Sequence, residues 1–235
     1  MLDLKKGFYV KSLETNLATQ RLVDGSKISF QTIEEMVASK HINPNTISFG
    51  QADRLACTIL GTNYTQTYRA QGIVFQTNEA PDYISPFDLM LLANVPGEEI
   101  KSDYYSFIEN LKEHYGRSLI PEYNDFLFKD PTEMLKEFPS PDVAWARVNA
   151  FRAAHSLTPV PESQKKLALY NEVIFHRPII VEPIALFGMP ELVPHLRERA
   201  AALNLRVFPS AQEFYEKVVR EQIERERINP PIKLR

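Results

Sequence analysis

The sequence predicts an α+β fold, and three observations carry that reading. Short runs rich in β-branched and aromatic residues, such as Gly72-Ile73-Val74-Phe75-Gln76-Thr77, recur in both halves of the chain. Apolar residues at helical spacing, for example Tyr104, Phe107, Ile108, Leu111 and Tyr115, mark amphipathic stretches between them. Prolines number 17 against 8 glycines, which points to long, stiffened loops rather than glycine-built tight turns.

The elements follow in order. Gly7 to Leu13 alternates and is rich in β-formers, so it opens the chain as a strand. A short helix is expected from Leu13 to Leu22, stopped near Asp24-Gly25, and another around Ile33 to Val37. The Asn43-Pro44-Asn45 turn precedes a strand over Thr46 to Phe49. Asp53 to Leu60 reads as a helix with Leu55, Ala56, Ile59 and Leu60 on its apolar side. The Gly72–Thr77 strand leads through Asn78 to Tyr83 into Ile84 to Leu89, and a helix covers Lys101 to Tyr115. Short helices over Pro131 to Phe138 and Asp142 to His155 are separated by proline-stopped loops. The last third holds a strand centred on Asn171 to Phe175 and a second, strongly apolar one over Pro178 to Leu186. Helix Met189 to Asn204, with Pro190 in its first turn, leads to a short strand over Leu205 to Phe208. Ser210-Ala211-Gln212-Glu213 has capping-box form and starts a final helix reaching about Arg227, stopped by Asn229-Pro230-Pro231. The charges of Glu221 to Arg227 read as a solvated helix face.

Composition narrows the classes of function. The 235 residues are 44% hydrophobic and 24% charged, with net charge −3, so a real core is affordable and no global field favours nucleic acid or anionic lipid. Cys57 is the sole cysteine, which excludes an internal disulfide and a cysteine zinc site and suits a reducing cytoplasm. No apolar run approaches the roughly 20 residues of a membrane helix, and the charged start MLDLKKGFYVKSLE is unlike a signal peptide. The expectation is a soluble, cytoplasmic chain without membrane contact, folded as one domain over 1–235 with 88–162 as an inserted subregion.

Several chemistries lack their residues. The five histidines are scattered, with none three or four residues from another, so no metal site is expected. No phosphate-cradling glycine loop and no nucleophile elbow is present, and Cys57 lies among apolar neighbours as a core residue would. Glu172 remains. It sits in an apolar strand between Leu167-Ala168-Leu169 and Val173-Ile174-Phe175. Burying a carboxylate there is costly unless it is paired or used. Strand alternation that turns it outward, or an arginine partner, is the structural alternative.

The run Asn171-Glu172-Val173-Ile174-Phe175-His176-Arg177-Pro178 resembles the catalytic strand of DarT-type ADP-ribosyltransferases. Phe8-Tyr9-Val10-Lys11-Ser12 with Asn16-Leu17 is similar to that family's opening strand. Ile47-Ser48-Phe49 with Asp53-Arg54-Leu55, and Tyr68 to Phe75, resemble the strands and arginine around its NAD pocket. One departure stands out: Val10 occupies the place of a histidine that the family sets against the NAD ribose.

The resemblance implies an ADP-ribosyltransferase-like split mixed sheet with peripheral helices, and NAD as substrate. It implies Glu172 and Arg54 as catalytic residues, with Tyr9, Ser12, Asn16 and Arg54 binding NAD. It further implies modification of a base in single-stranded DNA by a toxin or defence enzyme, neutralised by an antitoxin with ADP-ribose hydrolase activity. A protein or RNA acceptor, or a binding module that has lost activity, are the alternatives. Lys165, Lys166, His176, Arg177, Arg147, Phe151 and Arg152 supply basic and aromatic character for a nucleic-acid groove. Each residue also has a plain structural role open to it: Tyr9 as a strand aromatic, Asn16 as a helix cap, Arg54 as a surface cation.

Overall fold

A computed structural model describes residues 7–12, 20–24, 27–30, 55–92, 125–157, 159–175, 177–188, 200–201 and 204–228. Its strands are β1 (Phe8–Ser12), β2 (Gln20–Asp24), β3 (Lys27–Phe30), β4 (Leu55–Leu60), β5 (Gly72–Gln76), β6 (Tyr83–Ser85), β7 (Glu172–Phe175), β8 (Ile179–Phe187) and β9 (Arg206–Phe208). They join along one hydrogen-bonded path in the order β2-β3-β8-β5-β1-β4-β7-β6, with β9 beside β8. Among the described strands, only the β8–β9 pairing is parallel. The nine residues of β8 act as a splint: Ile179–Val181 pair with β3, Glu182–Phe187 with β5, and Ala185–Phe187 also with β9. The architecture is α+β.

Among the described residues, two helices from the middle of the chain pack on one face of the sheet. α1 (Pro131–Glu137) starts where the Asp130 carboxylate accepts from the backbone N–H groups of Thr132 and Glu133. α2 (Pro141–Ala154) starts at Ser140, whose hydroxyl accepts from the Val143 N–H. Both have proline at the first helical position, where its missing N–H costs nothing. The chain turns out of α2 through Ser156 at φ 56°, with the Leu157 N–H donating back to Arg152 O. The terminal helix opens at Ser210, as the capping box predicts: α3 (Ala211–Phe214) runs into a π-helical stretch (Tyr215–Arg220) and then α4 (Glu221–Ile228). Described residues of α4 are mostly exposed, as a solvated face requires.

Strand alternation sorts the core into two layers. One holds Tyr9, Ile59, Phe75, Val173 and Phe175 together with Met134, Phe138 and Val148 from α1 and α2. The other holds Phe8, Val10, Val74 and Phe187 with Phe214 and Val219 of the terminal helix.

Two expectations are overturned. Residues 55–60 form a strand, not a helix. β4 runs between β1 and β7 with both faces covered, so Leu55, Ala56, Ile59 and Leu60 are apolar without alternating, and periodicity alone misreads such a strand. Residues 20–22 belong to β2, and Asp24, expected near a helix stop, instead ends that strand and pairs with Lys27 of β3. The expected helices at Ile33–Val37 and Lys101–Tyr115 and the strand at Thr46–Phe49 lie outside the described residues. So does most of helix Met189–Asn204. Its end is described: Asn204 takes φ 52° and Leu205 donates to Ala200 O.

Gly72 is required by close approach. A Cβ there would stand 2.5 Å from the Lys11 carbonyl oxygen and 2.7 Å from the Phe187 ring. Gly72→Ala is expected to destabilise by about 1–3 kcal/mol, read as a lower urea midpoint. Gly61→Ala, where the added carbon meets only the flexible end of Leu135 at 3.0 Å, is expected to lose less.

Candidate active site at the start of strand β7

The site begins with Asn171, which is fully buried. Its side chain accepts from the Ile59 N–H at 2.8 Å and donates to the Ile59 carbonyl at 2.8 Å. The amide thus imitates a strand neighbour and carries the β4–β7 ladder one step further. Glu172 follows immediately as the first residue of β7, held between β4 and β6 and only 8% exposed. Its Oε2 accepts from the Leu89 N–H at 3.1 Å, at the start of the 3-10 segment Leu89–Leu92. The carboxylate is therefore fixed by a strand and a backbone donor.

Register defines which predicted residues share its face. Cys57 lies opposite Val173, so Glu172 falls on the alternate row, that of Thr58. Thr58 pairs with Val10, so Val10, Ser12, Thr58 and Glu172 belong to one face of the sheet. Tyr9 belongs to the other. Its ring is 5% exposed, stacks on Phe75 at 5.7 Å and meets Phe175 edge-on at 6.2 Å. By register, Tyr9 and Glu172 fall on alternate rows of the sheet, two strands apart.

Ser12 is linked to the residues around Glu172 by a relay of contacts. Its hydroxyl accepts from the Arg69 N–H at 3.3 Å. The Arg69 guanidinium lies 4.6 Å from the centroid of the Tyr68 ring. Tyr68 meets Tyr170 edge-to-face at 5.9 Å, and the Tyr170 hydroxyl donates to Asp88 Oδ2 at 2.7 Å. Asp88 immediately precedes Leu89, the residue that holds Glu172. Burial, first, and then the charge and hydrogen bond of Asp88 and the charges of Glu172 and Tyr68 hold the Tyr170 hydroxyl protonated far above the usual tyrosine range. Tyr170 thus stays a donor under all ordinary conditions.

Arg54 and Asn16 lie outside the described residues, as does His176. Val10 is completely buried, in the layer with Phe8 and Val74. Four of the basic residues expected to line a groove have partners within the protein. Arg152 is 3% exposed and donates to Leu91 O. Arg147 pairs with Glu137 and covers the Phe138 ring, Lys165 pairs with Asp142 and Glu162, and Arg177 pairs with Asp82 and Glu79. Tyr170 and Asp88 escaped the sequence reading, and Asn171 and Tyr68 entered it only as the first residues of longer resembling runs. The one available signal was the polar triplet Tyr170-Asn171-Glu172 at the mouth of an apolar strand.

Cys57 and Tyr9 are buried in the core layer that also holds Leu89 and Ile174. Burial pushes the Cys57 thiol up to about 12 despite the nearby Lys11 ammonium. Burial, then the charges of Cys57 and Asp130, push Tyr9 up to about 12. Their ordinary values are 9.0 and 10.0, so the unfolded chain ionises first as pH rises. The stability tied to these protonated groups is complete below pH 9 and is lost as pH climbs toward 12. Urea midpoints should fall steeply across that alkaline window, and Cys57 should react with a disulfide reagent at neutral pH only after denaturation.

Fold and site together define an α+β protein with a buried carboxylate and a tyrosine–carboxylate cluster at the start of a sheet strand. No protein-family model matches the sequence, and no curated protein is significantly similar to it. Among the described residues, no helix is long and apolar enough to cross a membrane, and no three His, Cys, Asp or Glu side chains are grouped to hold a metal ion.

Proposed function

We propose that this chain is an NAD-dependent ADP-ribosyltransferase in which Glu172 is the catalytic carboxylate. The observation that carries the proposal is the state of that side chain: nearly buried, on a strand held from both sides, with its position fixed by the Leu89 N–H. A carboxylate preorganised in this way suits a reaction whose transition state gathers positive charge on a ribose. The bond from ribose C1′ to nicotinamide breaks, and nicotinamide leaves with the electron pair. The acceptor's lone pair forms the new bond to C1′, and its proton passes to Glu172. The ADP-ribosyltransferase-like arrangement of the sheet, and NAD contacts from Ser12, Asn16 and Arg54, belong to the same proposal. Tyr9 enters it only as a core residue.

The acceptor proposed is a base of single-stranded DNA, with protein and RNA as the competing acceptors. If the activity poisons its host cell, an antitoxin with ADP-ribose hydrolase activity is the partner it requires. Incubation with NAD labelled in the adenylate half, against separate DNA, RNA and protein acceptors, tests the reading. Label transferred to one acceptor and absent with Glu172→Gln supports it; neither transfer nor nicotinamide release with any acceptor rejects it.

A second reading has its own observation. Val10 packs wholly inside the core at the position where the resembling family uses a histidine, and the Leu89 contact gives Glu172 a structural task. On that reading the chain is a binding module, and its cellular effect survives Glu172→Gln unchanged.

A further inference from the structure

Tyr68 is 58% exposed, the most exposed aromatic among the described residues' large hydrophobic side chains. It is nonetheless held in place. The Arg69 guanidinium lies at 4.6 Å from its centroid, and Tyr170 braces it edge-to-face at 5.9 Å, with an interplanar angle of 72°. Tyr170 is in turn tied to Asp88 by a 2.7 Å hydrogen bond. The backbone under Arg69 is clamped as well: its N–H donates to Ser12 Oγ at 3.3 Å, and its carbonyl accepts from Thr67 Oγ1 at 2.6 Å. A ring set out in solvent and fixed in advance costs little further entropy when a ligand settles on it.

The chemistry of the corner selects its ligand. A tyrosine ring can stack a base on the face its cation does not cover, and the Arg69 guanidinium over the Tyr68 ring offers a fork of N–H donors for an oxyanion. Asp88 accepts from Tyr170 and the charge of Glu172 acts on the same hydroxyl, so an anion is favoured on the Arg69 side and opposed on the Tyr170 side. A planar ring joined to a phosphate meets both demands. We propose that Tyr68 and Arg69 form a nucleotide subsite, with the base stacked on Tyr68 and its phosphate paired with Arg69. A dinucleotide such as NAD and an unpaired residue of a nucleic-acid strand share that chemistry. The proposal deepens the transferase reading, and rests on it only for the role of the neighbouring Glu172.

Binding is measured with NAD by calorimetry and with a short fluorescein-labelled oligothymidylate by anisotropy, on the full chain. Tyr68→Ala is expected to weaken at least one probe by about 5- to 150-fold, the range that base–aromatic stacking supplies. Tyr68→Trp retains binding. Arg69→Ala weakens the same probe and flattens its salt dependence. The probe affected identifies the source of the nucleotide. Wild-type protein that binds neither probe, or a folded Tyr68→Ala variant that binds both as the wild type does, overturns the subsite. Tyr68-dependent binding without any NAD cleavage keeps the subsite and removes the transferase reading. Cleavage that needs Glu172, with both probes bound as tightly by Tyr68→Ala as by the wild type, removes the subsite alone.

Discussion

Glu172→Gln is expected to leave the protein folded and to lower NAD cleavage by about 10²–10³-fold, the usual loss when one preorganised electrostatic group is removed. The glutamine matches the glutamate in size and keeps an oxygen for the Leu89 N–H, which is the contact that fixes the side chain. What it removes is the negative charge and the capacity to take a proton. Single-turnover release of nicotinamide, measured beside a thermal melt, separates the two roles. A large rate loss at unchanged melting temperature marks a chemical role. Cleavage at the wild-type rate would end the proposal, since nothing else about the substitution compensates for a missing charge.

The second large effect is structural and sits one residue earlier. Asn171→Ala strips both partners from the buried Ile59 amide and carbonyl. Each such group costs about 1–3 kcal/mol when left unsatisfied, so the expected loss is about 2–6 kcal/mol. Asn171→Asp gives a sharper test. Its carboxylate still accepts from the Ile59 N–H but faces the Ile59 carbonyl oxygen with no proton to offer. Burial favours the neutral form, so that variant should regain stability as pH falls and the new carboxyl protonates. Denaturant midpoints recorded from neutral to acidic pH check the sign. A loss under 1 kcal/mol for Asn171→Ala, below the range for even one orphaned group, would mean that water replaces the amide at no cost and that the ladder does not depend on it.

How much was legible in the chain follows from the physics of each segment. β1, β5 and β7 announced themselves through runs such as Ile73-Val74-Phe75, and the terminal helix through its cap at Ser210. β4 did not, because burial on both faces erases alternation. The Asp24-Gly25 pair serves equally as a helix stop and as a hairpin signal, and only the pairing of Asp24 with Lys27 decides between them. Glu172 stood out as a charge among apolar residues, and its burial is what makes it a candidate. Its companions were invisible for a different reason. Tyr68, Asp88 and Tyr170 come from three separate segments, and only the sheet order sets them side by side. Tyr9 and Glu172 each read as site residues, yet whether they share a face is a matter of register, which one sequence does not specify.

The pairing of Leu55 with Phe175 carries a consequence for biosynthesis. β4 leaves the ribosome long before its partner β7 exists, and at translation rates of about 5–20 residues per second the wait is on the order of ten seconds. Through that interval one edge of an apolar strand bearing Cys57 and Ile59 has no neighbour, and such an edge templates intermolecular pairing. The nascent chain therefore depends on chaperones, or on transient cover from its own earlier segments, until the last third emerges. A fragment ended before Asn171 would carry that adhesive edge permanently.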